Sequence, residues 1–446
     1  MKRVITLFLI LGMASIWAQS PDLFIDFNLS EESSERKVEK QKNWRARLPF
    51  EFTGFWDNRF GIRTQNDPVE KQASLAESRL HIDTQFQAGL SNIAIKTDFI
   101  YDAAIHDELN LNKGTGWIDL REASLFFSPN PFTDLKVGRQ IITWGTGDLL
   151  FINDLFPKDW NSFFLGRSQD YLKAPSDALK ASLYSNYGNL DIVYTPQFDS
   201  DRYINGNRVS FYNANYGRRT GRDVAITDEP RDDWFSEDEI AVRYSRFINS
   251  LELGLYYYNG YWKSPSGQTL SQNLTFNSLA VYGASVRSAF YKGLANLELG
   301  YYDSQDDTDG KNMFANNSEL RFLVGYEQEL ASNLTGSIQY YLEQMQDYDN
   351  YKKYLPAGSP KKNKNRHVLT TRLSKRLHQD RWIVSLFNFY SPSDSDGYLR
   401  LNISHKYSDN LSLETGGNWF YGHTDTSFFA QFENNNNAYI SIKNSF

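Results

Sequence analysis

"LRFLVGYEQELASNLTGSIQYYLE", residues 320–343, is two alternating runs around a polar break. Leu320, Phe322, Val324 and Tyr326 share one face, and Arg321, Gly325, Glu327 and Glu329 share the other. Beyond Ala331–Asn333, Leu334, Ile338, Tyr340 and Leu342 oppose Thr335, Ser337, Gln339 and Glu343. A period of two places successive side chains on opposite sides of a strand. The stretch therefore predicts a tight hairpin with one apolar face and one wet face.

The pattern recurs in 79–90, 399–407 and 411–421 and, less cleanly, along the whole chain. Connections fall into two kinds. Short polar turns occur near 91–92, 187–189, 249–250, 291–293, 331–333, 378–380 and 408–410; long loops occur near 63–75, 103–115, 145–176, 197–236, 263–275, 304–317, 347–365 and 422–437. Segregation of loops by length, with strands near the roughly 9–11 residues a tilted membrane strand needs, predicts an all-β transmembrane antiparallel barrel. The count is about 18 strands, within a range of about 16–18. A closed barrel leaves no unpaired strand edge in lipid.

Composition agrees. Aromatic residues make up 15% of the chain while the hydrophobic fraction is only 40%, and there is no Cys. Many aromatics on a polar average suit a wall that is apolar outside and wet inside. Disulfides and thiolate metal sites are excluded. The net charge of −7 is mild, and nothing points to nucleic acid. Lys2 and Arg3, the apolar run from Val4 to Met13, and Ala18 read as a leader over 1–18. Residues 19–47 then form a charged periplasmic extension, a place for a periplasmic partner, and 48–446 form the barrel.

The end of the chain, "AYISIKNSF" (438–446), sets Ala438, Ile440 and Ile442 on one face and closes on Phe446. It resembles the signal by which the barrel-assembly machinery recognises outer-membrane barrels; Asn444 departs from that pattern.

One segment does not fit a strand. "VGRQIITWGTGDLLFINDLFPKDWNSFF", 137–164, begins by alternating and then becomes apolar and irregular. If the first strand rises from the periplasm, this is the third outward loop. Leu149, Phe151, Leu155, Phe156 and Trp160 are expected to bury against the inner wall, with Gly145 and Gly147 permitting the bend. Asp148, Asp154, Asp159 and Arg167 are then expected to border the passage, opposite Arg372, Arg376 and Arg400. Other inward charges are Arg79, Asp83, Lys96, Asp98, Lys180, Arg243, Arg287, Arg321, Glu327 and Lys406. A basic lumen favours anions; the competing reading is that these charges pair across strands. The parity of Arg139 is awkward. It faces inward through a bulge or lies at a headgroup zone.

"VGRQIITWG", Asp148 and "NDLFPKDW" resemble the Gly-Arg-Gln, Trp-Gly, Asp and Pro-x-Asp pattern of a porin-like outer-membrane family related in plan to the alginate-export porins. The resemblance covers about 25 residues. It implies a barrel of about 18 strands and a channel, and says little about cargo.

The expected function is a porin-like channel for passive, mildly selective passage of polar or anionic solutes, small molecules or polysaccharide, with loop 145–176 as constriction. The alternative is a barrel that docks or sheathes a partner such as a cytochrome or an export complex. An outer-membrane hydrolase ranks third, since the six His residues are scattered and no nucleophile elbow appears. Neither an enzyme nor a cofactor is expected. "DDTDG" (306–310) hints at a calcium loop but lacks the full spacing.

Overall fold

The computed structural model describes residues 51–104, 116–268 and 273–446. The expected leader and charged extension lie outside these residues, as does most of loop 103–115. Eighteen of the described strands form one antiparallel sheet, and two short hairpins in the long loops, Phe211–Asn213 with Arg218–Thr220 and Gly267–Gln268 with Leu274–Thr275, stand apart from it. The eighteen begin with β1 Glu51–Arg63, β2 Ala73–Ala88, β3 Ser91–Asp102, β4 Ile118–Asn130, β5 Thr133–Gln140, β6 Ser176–Ser185, β7 Gly188–Thr195, β8 Glu239–Ile248 and β9 Leu251–Tyr261. The second half is β10 Ser278–Phe290, β11 Gly293–Ser304, β12 Glu319–Ala331, β13 Leu334–Met345, β14 Asn365–Leu377, β15 Trp382–Ser391, β16 Asp396–Lys406, β17 Leu411–Gly422 and β18 Asn437–Ser445.

Each strand pairs with its neighbour in sequence, and β18 returns to β1 in the register Phe60↔Ile440. Phe446 extends the closing seam: its N–H donates to the Gly54 carbonyl at 2.9 Å, and the Gly54 N–H donates to its carbonyl at 3.1 Å. The hairpin at 320–343 pairs as the alternation requires, with Val324↔Tyr340 and Phe322↔Leu342. Closure satisfies every neighbour-to-neighbour ladder, the condition for a sheet in lipid.

The two faces sort by chemistry. Trp56, Phe60, Ile62, Leu80, Phe99 and Ile440 are exposed outward, while their strand neighbours Asp57, Arg59, Arg63, Arg79, Asp98 and Ser441 are buried. Exposed apolar side chains in such a band are lipid contacts. Tight turns hold residues such as Asn249 (φ 55°) and Asn333 (φ 57°) in the left-handed region, which Asn tolerates better than most residues.

Two strand ends depart from the alternation. β2 begins at Ala73, five residues before the run at 78 becomes clean, because it continues pairing with β1 through a register shift at Gly61/Ile62. β5 stops at Gln140 although Ile141 and Ile142 would continue it. There the chain turns inward.

Candidate functional site

The segment 141–175 leaves β5 and runs through the barrel interior. Its apolar side chains supply the reason. Ile142, Trp144, Leu149, Ile152, Phe156, Phe163, Phe164 and Leu165 are all buried in one cluster with inward wall residues including Leu279, Tyr302, Leu323, Tyr398 and Phe420. Phe151, Leu155 and Trp160 pack partly buried against it. Burying such a side chain contributes about 1.5–3 kcal/mol, which outweighs exposure of the segment to water. Gly145 sits at φ +86°, in the left-handed region where only Gly is unstrained, and a Cβ at Gly147 would meet the Leu150 carbonyl at 2.3 Å, so both glycines serve the bend, the second by close approach.

Polar contacts fix the path. Glu298 on β11, 1% exposed, receives loop donors at its carboxylate. The Thr146 N–H, the Thr146 Oγ1 at 2.8 Å, the Gly147 N–H at 2.7 Å and Asn153 Nδ2 at 2.8 Å all donate to it. Tyr302 on the same strand donates to the Ile152 carbonyl at 2.6 Å. Farther round, Arg372 Nη2 on β14 meets Asp148 Oδ1 at 2.7 Å. β14 is nine strands from β5 (14 − 5) in a ring of 18, so Asp148 reaches the opposite wall.

The segment then runs back. Asp159 caps the short helix Trp160–Leu165 by accepting from the Ser162 N–H at 2.7 Å, and Gly166 (φ 86°) ends it. Phe163 and Phe164 enter an aromatic nest with Tyr398, Phe420 and Phe432 at centroid separations of 4.9–5.7 Å. Arg59 donates to the Gly166 carbonyl, Asn437 Nδ2 to the Phe164 carbonyl at 3.1 Å and Arg400 Nη2 to the Arg167 carbonyl at 2.8 Å. Arg121 on β4 binds the Lys173 carbonyl at 2.7 Å as the chain rejoins the wall.

The residues singled out from sequence fall into three groups. Asp148 and Arg372 are brought into direct contact, and Arg400 lies against Phe163 at 5.1 Å rather than across a gap. Asp159, Arg167 and Arg139 line a cavity described below, Arg167 paired to Glu77 at 2.5 Å and Arg139 to Asp177 at 2.5 Å. Asp154, Arg321 and Arg376 do not line that cavity. Asp154 is buried with Lys158 at 3.0 Å, and Arg321 pairs with Glu319 at 2.7 Å while lying over the Tyr302 ring. Arg376 sits near the tight turn, its N–H on the Asn333 carbonyl, about 13 Å along β14 from Arg372.

At Arg139 the alternation lapses. Gly138 takes φ +110°, a Cβ there would meet the Ala123 carbonyl at 2.3 Å, and Arg139 and Gln140 are both buried. Only glycine allows this approach. The inward charges pair largely across strands: Lys96 with Asp83 (3.2 Å), Lys180 with Asp191 (3.7 Å) and Arg243 with Glu252 (3.6 Å).

Sequence reasoning overlooked two elements. Glu298 alternates between Leu297 and Leu299, a signal for an inward acid, but its partners are some 150 residues away. The segment 196–238 also enters the interior, with Val209 and Ser210 fully buried and Asn435 Nδ2 donating to the Ser210 carbonyl at 2.8 Å.

Between loop 159–175, segment 197–232 and β2–β6 lies a cavity of about 830 Å³. Asp199, on its wall, is pushed up to about 7, chiefly by burial, with Lys263 opposing and Asp177 and Glu239 adding to the rise. Burial also raises Asp148, partly offset by Arg372.

Fold and site together define a transmembrane barrel of 18 antiparallel strands whose interior is crossed by its own third long loop. Solved barrels share the plan. OccK11 (OpdR) of Pseudomonas aeruginosa matches at a TM-score of 0.52 with 9% identity, over 89% of this chain and 96% of that one. OccAB4 of Acinetobacter baumannii matches at 0.52 with 10% identity, over 91% and 100%. At that identity the likeness is one of fold. No protein-family model matches the chain, and no curated protein matches it.

Proposed function

We propose that this chain is a porin-like channel of the bacterial outer membrane, for passive and mildly selective passage of polar solutes, with loop 145–176 as its constriction. The contact between Asp148 and Arg372 carries the reading: the loop is pinned to the wall half-way round the ring, so any solute in the lumen must pass beside it. The apolar exterior and charged interior support a water-filled path through lipid. The motif "VGRQIITWG…D…NDLFPKDW" has a physical role in this reading. Gly138 and Arg139 break the alternation in the last residues of β5, Trp144 anchors the bend, Asp148 reaches the far wall and Asp159 starts the inner helix.

A preference for anions has mixed support: Arg372 is neutralised by Asp148, whereas Arg400 donates to the neutral Arg167 carbonyl, and neither Arg400 nor Arg376 forms an ion pair among the described residues. The sheathing alternative is disfavoured because the chain's own segments 141–175 and 197–232 occupy part of the interior. The test is planar-bilayer recording of purified full-length protein. Discrete conductance steps carry the reading, and a silent bilayer containing assembled, heat-modifiable protein contradicts it.

A further inference from the structure

The cavity of about 830 Å³ falls within the size range of small-molecule sites, and its walls are unevenly committed. Every arginine on it already has a carboxylate. Arg79 holds Glu77 and Asp98, Arg139 holds Asp177, and Arg167 holds Glu77. Arg202 holds Asp119 and Asp159, Arg208 holds Asp102, and Arg231 holds Glu237. Four of these six partners' carboxylate sets lie behind the lining, so the positive charge is neutralised from outside the cavity.

The acids are not so committed. Among the described residues Asp199, Asp228 and Asp232 form no ion pair, although all three line the space. The nearby Lys263 gives its ammonium to Glu239 at 2.6 Å and to the backbone carbonyl of Asp199 at 2.9 Å, leaving the Asp199 carboxylate the N–H of Asp177 at 3.0 Å. Asp228 has the neutral hydroxyl of Tyr203. Asn161, on the same wall, has its Oδ1 enclosed without a donor, both its N–H contacts being made to the Arg202 and Tyr203 carbonyls. The arginines have their carboxylates, whereas Asp199, Asp228 and Asp232 have no cationic partner among the described residues. Beside them stands an aromatic panel, Phe198, Phe276 and Tyr203, with centroid separations of 5.0 and 6.1 Å.

We propose that this cavity is a binding site for a protonated amine with an apolar or ring-bearing body, its ammonium held on the wall carrying Asp199 and Asp228 and its body against Tyr203, the half-buried ring of the aromatic panel. Charge-assisted hydrogen bonds to carboxylates and contact with aromatic faces are what an alkylammonium offers, whereas a carboxylate would face open acids and arginines already satisfied. The proposal rests on the channel reading for its role in transport, and on the cavity alone for binding.

The experiment compares phenethylammonium with 3-phenylpropanoate, cations and anions of matched shape, as blockers of the full-length channel at low ionic strength. The expected result is half-block by the amine at a concentration at least about tenfold lower, and a rise of about tenfold in that concentration for Asp199→Asn with Asp228→Asn. Asp349→Asn, on the exposed helix Tyr348–Tyr354 and not on the cavity lining, leaves it unchanged. Equal block by the two probes, or block insensitive to the double variant, overturns the site. If the double variant fails to assemble, Asp232→Asn, at an exposed position, is expected to weaken block about threefold; no change overturns the site. If the protein does not conduct at all, the channel reading fails separately. Ligand-observed NMR on detergent-solubilised protein then decides the cavity. Amine binding lost in the variant supports it, and no binding or a preference for the carboxylate overturns it.

Discussion

Asp148 Oδ1 and Arg372 Nη2 lie 2.7 Å apart, one on the inserted loop and one on the strand half-way round the barrel. The pair converts a flap tethered at one side into a bridge tethered at both. Arg372→Ala leaves a largely enclosed carboxylate without its cation, a loss typically of about 3–5 kcal/mol for a buried pair and less for one partly exposed, as here. The expected outcome is larger open-channel current noise, with the Asp148→Asn and Arg372→Ala effects non-additive in a double-mutant cycle. Additive effects would show that the pair does not couple loop and wall.

Glu298 offers a second tether. Its carboxylate accepts at least four loop donors and has no cationic partner among the described residues. Glu298→Ala leaves those N–H groups buried and unsatisfied, at about 1–3 kcal/mol each. We expect cleavage within 143–154 by protease added to assembled protein, and partial protection restored by Glu298→Gln, which keeps one acceptor oxygen. Equal resistance of the alanine variant and the parent would mean the apolar cluster alone holds the loop.

Asp199 gives a pH dependence with a definite sign. Its folded value, about 7, lies above the roughly 3.9 of an unfolded aspartate. Folding therefore takes up a proton between about pH 4 and pH 7, and the contribution to stability is greatest below about pH 4 and lost as pH rises through 7. The groups around it are Asp177 with Arg139 on the wall, Glu239 on β8 and Lys263 from loop 262–277. Asp199→Asn is expected to raise the thermal midpoint at pH 8 and to leave it unchanged near pH 4. A variant less stable than the parent at pH 8 would contradict the assignment.

Phe446 closes the ring through two backbone hydrogen bonds to Gly54, and its ring lies 5.7 Å from that of Phe52. Deleting it removes both bonds at the seam between the first and last strands. Less heat-modifiable, assembled barrel is the expected outcome; Phe446→Ala, which keeps the backbone, should lose less. Equal assembly in all three would make the terminal residue incidental.

The strands were legible because alternation is a local property. Val324 and Tyr340 face each other as their spacing requires, and the turn at 331–333 is where the polar break lies. Residues that act across the lumen were not. The apolar content of 149–164 implied an inner surface but did not name Glu298, since a partner 150 positions away leaves no mark on local pattern. Arg139 was ambiguous for a related reason: its placement depends on Gly138 at φ +110°, which periodicity does not encode. Of the basic residues read as a free anion-attracting wall, Arg372 is paired, because the acid that neutralises it comes from the distant loop, while Arg376 and Arg400 form no ion pair among the described residues. Arg376 shares a strand with Arg372 but lies a full turn-ward stretch away, a distance that counting charges along a segment ignores.

The most direct measurement is single-channel conductance after deletion of 150–165, with heat-modifiable mobility showing that the barrel still assembles. The deletion removes the whole inner helix and the cluster residues Ile152, Phe156, Phe163, Phe164 and Leu165 while leaving Asp148 and the strand ends. A large rise in conductance with loss of size exclusion is the expected result. Unchanged conductance in an assembled barrel would contradict the constriction and leave the apolar loop without a role in passage.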